Sequence, residues 1–186
     1  EFQMCVLKTS MLLSQQGHSL DCSFTGGDCF IGKARNGLVQ TFIDTWKTAH
    51  PCEVLVFMDD DQAWDEQAFL RIIEDKHEFV GVCIPKKIEP IQYNNMVLDM
   101  DANGICYVDN GMLRAKQIGS GFIALKRSCI EKMMHHYPAR YSPGDGGPHE
   151  LHYNFFEPQI IWPEVGVGIG QFWGEDLIFC KKWCAL

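Results

Sequence analysis

Three consecutive carboxylates, Asp59, Asp60 and Asp61, end the apolar run Val54-Leu55-Val56-Phe57-Met58. The run is too short to cross a membrane and too apolar for a loop, so it predicts a buried central strand over 53–58. A strand that delivers carboxylates at its C-terminal end puts them at the edge where open α/β sheets take ligands. If the extended geometry continues past Met58, Asp59 and Asp61 point the same way. Such a pair repels itself and calls for a divalent cation, and oxygen-only ligands favour Mg²⁺ or Mn²⁺. The plainer reading is a solvated acidic turn that caps the next helix, but Asp65 already stands at that cap position. An EF-hand is excluded: counted from Asp59, Ala63, Trp64 and Leu70 fall at loop positions five, six and twelve.

Other groups could share in such chemistry. Glu175 and Asp176 follow Trp173-Gly174 at the start of a helix expected over 177–183. They either complement the helix dipole or supply a general base or acceptor-hydroxyl anchor beneath the glycine-rich approach Gly166, Gly168, Gly170. Ala34-Arg35-Asn36 opens a helix, either as exposed charge or as a phosphate or base contact through Arg35 and Asn36. Pro85-Lys86-Lys87 directly follows an expected strand end. Gly119-Ser120-Gly121 is a bend or a place where a ligand approaches backbone. His149 and His152, without nearby thiolates, are a weak zinc pattern.

The elements around these residues imply their placement. Helices are expected over 2–16, 33–46 and 65–76, the last capped by Asp65. Strands are expected over 53–58 and 79–84, so 34–84 alternates helix and strand, with the two strands adjacent and parallel. The texture then changes. Segments 97–100 and 105–108 flank the hairpin turn Asn103-Gly104, followed by strands over 113–118 and 122–125. Ser128 and Glu131 form a capping box for a helix to about residue 136. Residues 20–30 read as a strand then a loop, and 138–150 as a long Gly/Pro loop of the functional or mobile kind.

A chain of 186 residues with 46% hydrophobic content is expected to be one domain with a real core, with a donor half about 1–90 and an acceptor half about 91–186. The net charge of −8 argues against a nucleic-acid partner. Nine scattered cysteines, an odd number without C-x-x-C, read as free thiols in a reducing, cytoplasmic compartment. No apolar stretch of about 18 residues is present, so no transmembrane segment is expected.

Taken together, these residues resemble the metal-dependent GT-A glycosyltransferases. The resemblance rests on Arg35-Asn36 in a first long helix, 54–61 as the "DxD" strand with Trp64 three residues on, and a strand ending Pro85-Lys86-Lys87. Gly119-Ser120-Gly121-Phe122 before a strand and Gly174-Glu175-Asp176 ahead of Phe179-Cys180 complete it. It implies a Rossmann-like mixed α/β sheet, with a parallel nucleotide-binding half and a hairpin-rich acceptor half. It also implies a UDP- or GDP-sugar donor held through Mn²⁺ or Mg²⁺, and a glycan, protein or small-molecule acceptor. Asp61 would be the direct metal ligand, with Asp59 nearer the ribose and metal. Asp60, Arg35, Asn36, Lys86 and 119–121 would line the nucleotide, and Asp176 or Glu175 would act as base. Family members begin with a nucleotide-cradling strand and often draw a further ligand from beyond the Glu-Asp helix, so truncation at both ends is expected. Two alternatives stand beside this. One is a non-catalytic nucleotide- or sugar-binding module. The other is a HAD-like Mg²⁺ phosphatase, which wants Thr or Val where this chain has Ala63.

Overall fold

The computed structural model describes residues 1–86, 88–93, 96–144, 151–163 and 168–186. Asp65 caps a helix as expected, its Oδ1 accepting from the Gln67 and Ala68 amides, both at 3.0 Å. In chain order the first elements are α1 (Phe2–Gln15), α2 (Ile31–Thr45), β1 (Val54–Met58), α3 (Glu66–Glu74) and β2 (Phe79–Gly81). The short strands β3 (Val97–Leu98), β4 (Val108–Asp109), β5 (Met112–Leu113) and β6 (Ala115–Gln117) follow. Next come β7 (Phe122–Lys126), α4 (Arg127–His136), β8 (Arg140–Tyr141) and β9 (His152–Tyr153). The chain finishes with β10 (Gln159–Ile161), β11 (Gln171–Trp173) and α5 (Glu175–Cys184).

The sheet order overturns the expected parallel, GT-A-like half. The largest sheet among the described residues has three strands in the order β1-β7-β2, with β7 antiparallel to both neighbours. β1 and β2 therefore run in the same direction but are not adjacent. The reason lies in burial. Phe122, Ile123, Ala124 and Leu125 are all buried, so β7 is apolar on both faces and takes the centre, whereas β2 is only half-buried. The other sheets are two-stranded and antiparallel.

Strand period two separates two cores. Phe57, Ile123 and Leu125 face one cluster with Val39, Phe42, Cys129, Met133, Phe155, Phe156 and Phe179. Phe122 and Ala124 face the other, against Leu13 of α1 and Phe69 and Ile72 of α3. The result is helices on both sides of a thin sheet. Trp64 belongs to the second side, its Nε1 donating to Thr9 Oγ1 at 2.8 Å.

Several local expectations shift. Residues 20–30 form no strand. The Ser128/Glu131 capping box does not form: Lys126 is the N-cap of α4, and Glu131 pairs with Arg127 at 2.8 Å instead. The 97–108 hairpin shrinks to the Met100–Cys106 bridge, because Val97 and Leu98 pair with β6. The tighter hairpin is β4–β5, turned by Asn110 (φ 51°) and Gly111 (φ 73°). The 138–150 loop begins with β8, and 145–150 lie outside the described residues. All nine cysteines are free, and no described helix is long and apolar enough to cross a membrane. Burial pushes the Cys180 thiol up to about 11, as befits a small core hydrophobe.

Candidate active site

One edge of the three-stranded sheet gathers the candidate residues. Beyond the last β1–β7 pair, Met58 with Phe122, the Asp59 amide donates to Gly121 O at 3.0 Å. The Val82 amide donates to Phe122 O at 2.9 Å, which brings the end of β2 alongside. Residues 59–61, 82–86 and 119–121 thus meet at one edge. The extended geometry stops at Met58, contrary to expectation. The chain turns at Asp60 and Asp61, and the Gln62 amide reaches back to Asp59 O at 3.2 Å. Asp59 makes the last ladder bond.

Two helix N-termini close on that edge. Gly32, in the first turn of α2, is pressed so closely that a Cβ there would stand 2.6 Å from Phe156 O and 3.4 Å from Glu175 Cβ. Arg35 lies three residues on, on the same helix face. Its guanidinium donates to Glu175 Oε1 and also stands 3.6 Å from Asp59 Oδ1. Arg35 and Glu175 are largely buried, with 12% and 19% side-chain exposure, while Asp59 is half open at 51%. Arg35 therefore ties the acidic end of β1 to the acidic start of α5, 140 residues away in sequence.

Asp59 stands in an acidic neighbourhood. Burial raises its pKa above the ordinary carboxylate value, Arg35 opposes that, and Asp61, Asp60 and Asp176 push it up further. Asp59 thus feels three other carboxylates and the Arg35 guanidinium. Asp176 has one oxygen engaged, Oδ1 accepting from the Leu177 amide at 2.7 Å. Asp61 Oδ1 accepts from Gln62 Nε2 at 2.9 Å.

The remaining candidates divide. Gly121 is needed bare: a Cβ there would stand 2.8 Å from both Asp59 Oδ2 and Ile84 Cδ1. Gly119 and Gly121 line a narrow cleft with Cys83, Ile84, Met96 and Ile118, and Ser120 between them is buried. Lys86 is exposed on the loop beyond Ile84, its amide bonded to Gln92 O at 2.6 Å. Lys87 lies outside the described residues. Asn36 sits behind the site rather than in it. Its Oδ1 accepts from the Phe155 and Phe156 amides at 3.1 and 2.9 Å, and its Nδ2 donates to Phe156 O at 3.1 Å. His149 and Gly166 lie outside the described residues, and His152 packs its ring against Gly37 and Tyr141.

Sequence reasoning missed Gly32 and the segment 154–156. A glycine one turn before Arg35 on the same face was the available signal. Nothing local marks 154–156, whose side-chain hydrogen-bond partners Asn36 and Lys182 are distant in sequence.

The oxygen-only donor set fits a hard divalent cation better than a soft one. Among the described residues no group of three or more His, Cys, Asp or Glu side chains could hold a metal alone. Two carboxylates here need a ligand's oxygens to complete a coordination shell. Comparison with protein-family models, curated proteins and solved structures found no match.

Proposed function

We propose that this chain is a metal-dependent glycosyltransferase, moving a sugar from a UDP- or GDP-sugar to an acceptor hydroxyl of a glycan, protein or small molecule. One observation carries the reading: Arg35 joins Asp59 to Glu175, so the two acidic motifs, remote in sequence, serve one site. Asp59 and Asp61 would hold Mn²⁺ or Mg²⁺, with the donor diphosphate supplying further oxygens. Bound there, the cation neutralises charge developing on the diphosphate leaving group. Arg35 donates to Glu175 and fixes it, which commits that side chain to positioning. Asp176 has its Oδ1 held by Leu177 N, which leaves its other oxygen to take the acceptor proton. Asp60, Lys86 and the backbone at 119–121 are the groups offered to the nucleotide. Asn36, committed to 154–156, is not. Nine free thiols make a reducing, cytoplasmic setting part of the same proposal.

A panel of UDP- and GDP-sugars, assayed for nucleoside diphosphate release with Mn²⁺ or Mg²⁺, tests this. We expect metal-dependent release from at least one donor, abolished by chelator and in Asp61→Ala. Nucleotide binding without release from any donor and acceptor pair would favour a binding module. Hydrolysis of simple phosphomonoesters would favour a phosphatase.

A further inference from the structure

We infer that Lys182, two turns along α5 from the acidic motif, is a positioning residue that sets the Arg35–Glu175 contact by gripping the segment 154–156. The inference rests on the proposed site, but not on which reaction that site performs. Lys182 Nζ donates to Asn154 O at 2.7 Å and Phe155 O at 3.3 Å. Asn36 takes the Phe155 and Phe156 amides and the Phe156 carbonyl from the other side. Two side chains therefore satisfy five main-chain groups of an irregular segment whose Phe155 and Phe156 are fully buried. Left unsatisfied there, each group would carry a desolvation cost.

The segment reaches the site through one atom. Phe156 O is the surface against which Gly32 rests, and Gly32 also lies against Glu175 Cβ. The first turns of α2 and α5 thus meet on the segment that Lys182 holds. Glu175, Phe179 and Lys182, spaced i, i+4, i+7, form one stripe of α5. Phe179 stacks on Phe156 between them, with ring centroids 4.5 Å apart and planes 8° apart. The Lys182 bonds therefore fix the rotation of α5 about its axis. A turn of about 100°, one residue's step, would point Asp176 where Glu175 now points and carry Glu175 off Arg35. A lysine is a costly choice for this place, since burial lowers its pKa against the pull of Glu157. An apolar side chain would pack there but could not hold two carbonyls.

The test reads Arg35 directly. In the metal-free protein the guanidinium N–H signals of Arg35, assigned by their loss in Arg35→Lys, should be resolved and slow to exchange because Glu175 holds them. Lys182→Met keeps the bulk and removes the donor. We expect those signals to broaden or exchange at least tenfold faster, while Phe69→Leu, in the core on the opposite side of the sheet, leaves them unchanged. Where a donor is turned over, kcat should fall at least tenfold with nucleotide affinity within twofold of wild type. If K182M fails to fold, K182Q gives the same comparison, since its shorter side chain loses the reach to the Asn154 and Phe155 carbonyls. Unchanged Arg35 signals would overturn the inference, as would equal loss in Phe69→Leu. If no donor is turned over, the Arg35 spectra still decide the inference, while the function proposal alone fails.

Discussion

The carboxylate of Asp59 lies against the bare Cα of Gly121, 2.8 Å from the point where a Cβ would stand. The same two residues share the 3.0 Å backbone bond that ends the β1–β7 ladder. The glycine therefore sets where the carboxylate can go. Gly121→Ala meets only the ends of two side chains, Asp59 Oδ2 and Ile84 Cδ1, so the fold should survive with a small drop in melting temperature. Metal-dependent nucleotide affinity should fall roughly tenfold, about 1.4 kcal/mol, as Asp59 is displaced. Titration calorimetry checks it, and unchanged affinity would show that the position of Asp59 is irrelevant to binding.

Asp176 and Glu175 should separate on substitution. Asp176→Asn keeps an oxygen for the Leu177 amide and removes the charge. Its turnover should fall roughly 10²–10⁴-fold, the usual worth of a general base, with donor affinity little changed. Equal losses in rate and affinity would mark Asp176 as a structural cap. Glu175→Gln instead leaves the buried Arg35 short of its nearer partner. It should cost about 3 kcal/mol in chemical denaturation, at the low end for a broken buried pair because Asp59 remains.

Asp59 should be a stability liability in the metal-free protein. Its folded pKa is raised, by burial first, so the folded state holds the proton more tightly than the unfolded chain does. Stability then falls as pH rises from the ordinary carboxylate value through the raised one. Asp59→Asn should melt higher than wild type at neutral pH and lose that advantage below the ordinary carboxylate range. Thermal scans across pH without metal read the difference directly.

A second titrating cluster straps the β4–β5 hairpin to the end of α3. The His77 ring bonds Asp75 on one side and Asp109 on the other, the latter at 3.0 Å. Lys76 also reaches Asp109 at 2.8 Å, Asn110 reaches Asp75 at 3.2 Å, and Arg71 lies beside Gly111. The hydrogen bond to Asp75 raises the His77 pKa, against burial, with Asp109 adding to it. Burial pushes Asp75 up, but bonds from His77 and Asn110 bring it below its ordinary value. The His77 contribution is complete below the ordinary imidazole range and lost as pH rises through the raised value. The Asp75 contribution is present above the ordinary carboxylate range and lost as pH falls through the depressed value. Amide exchange at 108–113 should therefore quicken on the alkaline side, and His77→Gln should remove that step.

Local chemistry was legible in the sequence: the Asp65 cap, the apolar face of α2, and acidic groups ending one strand and opening one helix. Each depends on residues within a turn or two. Strand order was not legible, because the place of β7 follows from burial on both its faces, and that depends on which helices cover it. Arg35 shows the same limit. At a helix start it read as exposed charge or as a phosphate or base contact, and no spacing rule pointed to its partners Asp59 and Glu175, the latter 140 residues on. Asn36 beside it is spent on 154–156, which no spacing rule connects to it.

Asp59 and Asp61 are expected to bind a divalent cation together with a nucleoside diphosphate. Calorimetry of UDP and GDP with and without Mn²⁺ measures this most directly, on wild type and on Asp61→Ala. Mn²⁺ and one nucleotide should each tighten the other's binding by the same factor, as linkage requires. Asp61→Ala should stay folded and lose that coupling. Nucleotide binding that ignores Mn²⁺, or coupling that survives in Asp61→Ala, would contradict it.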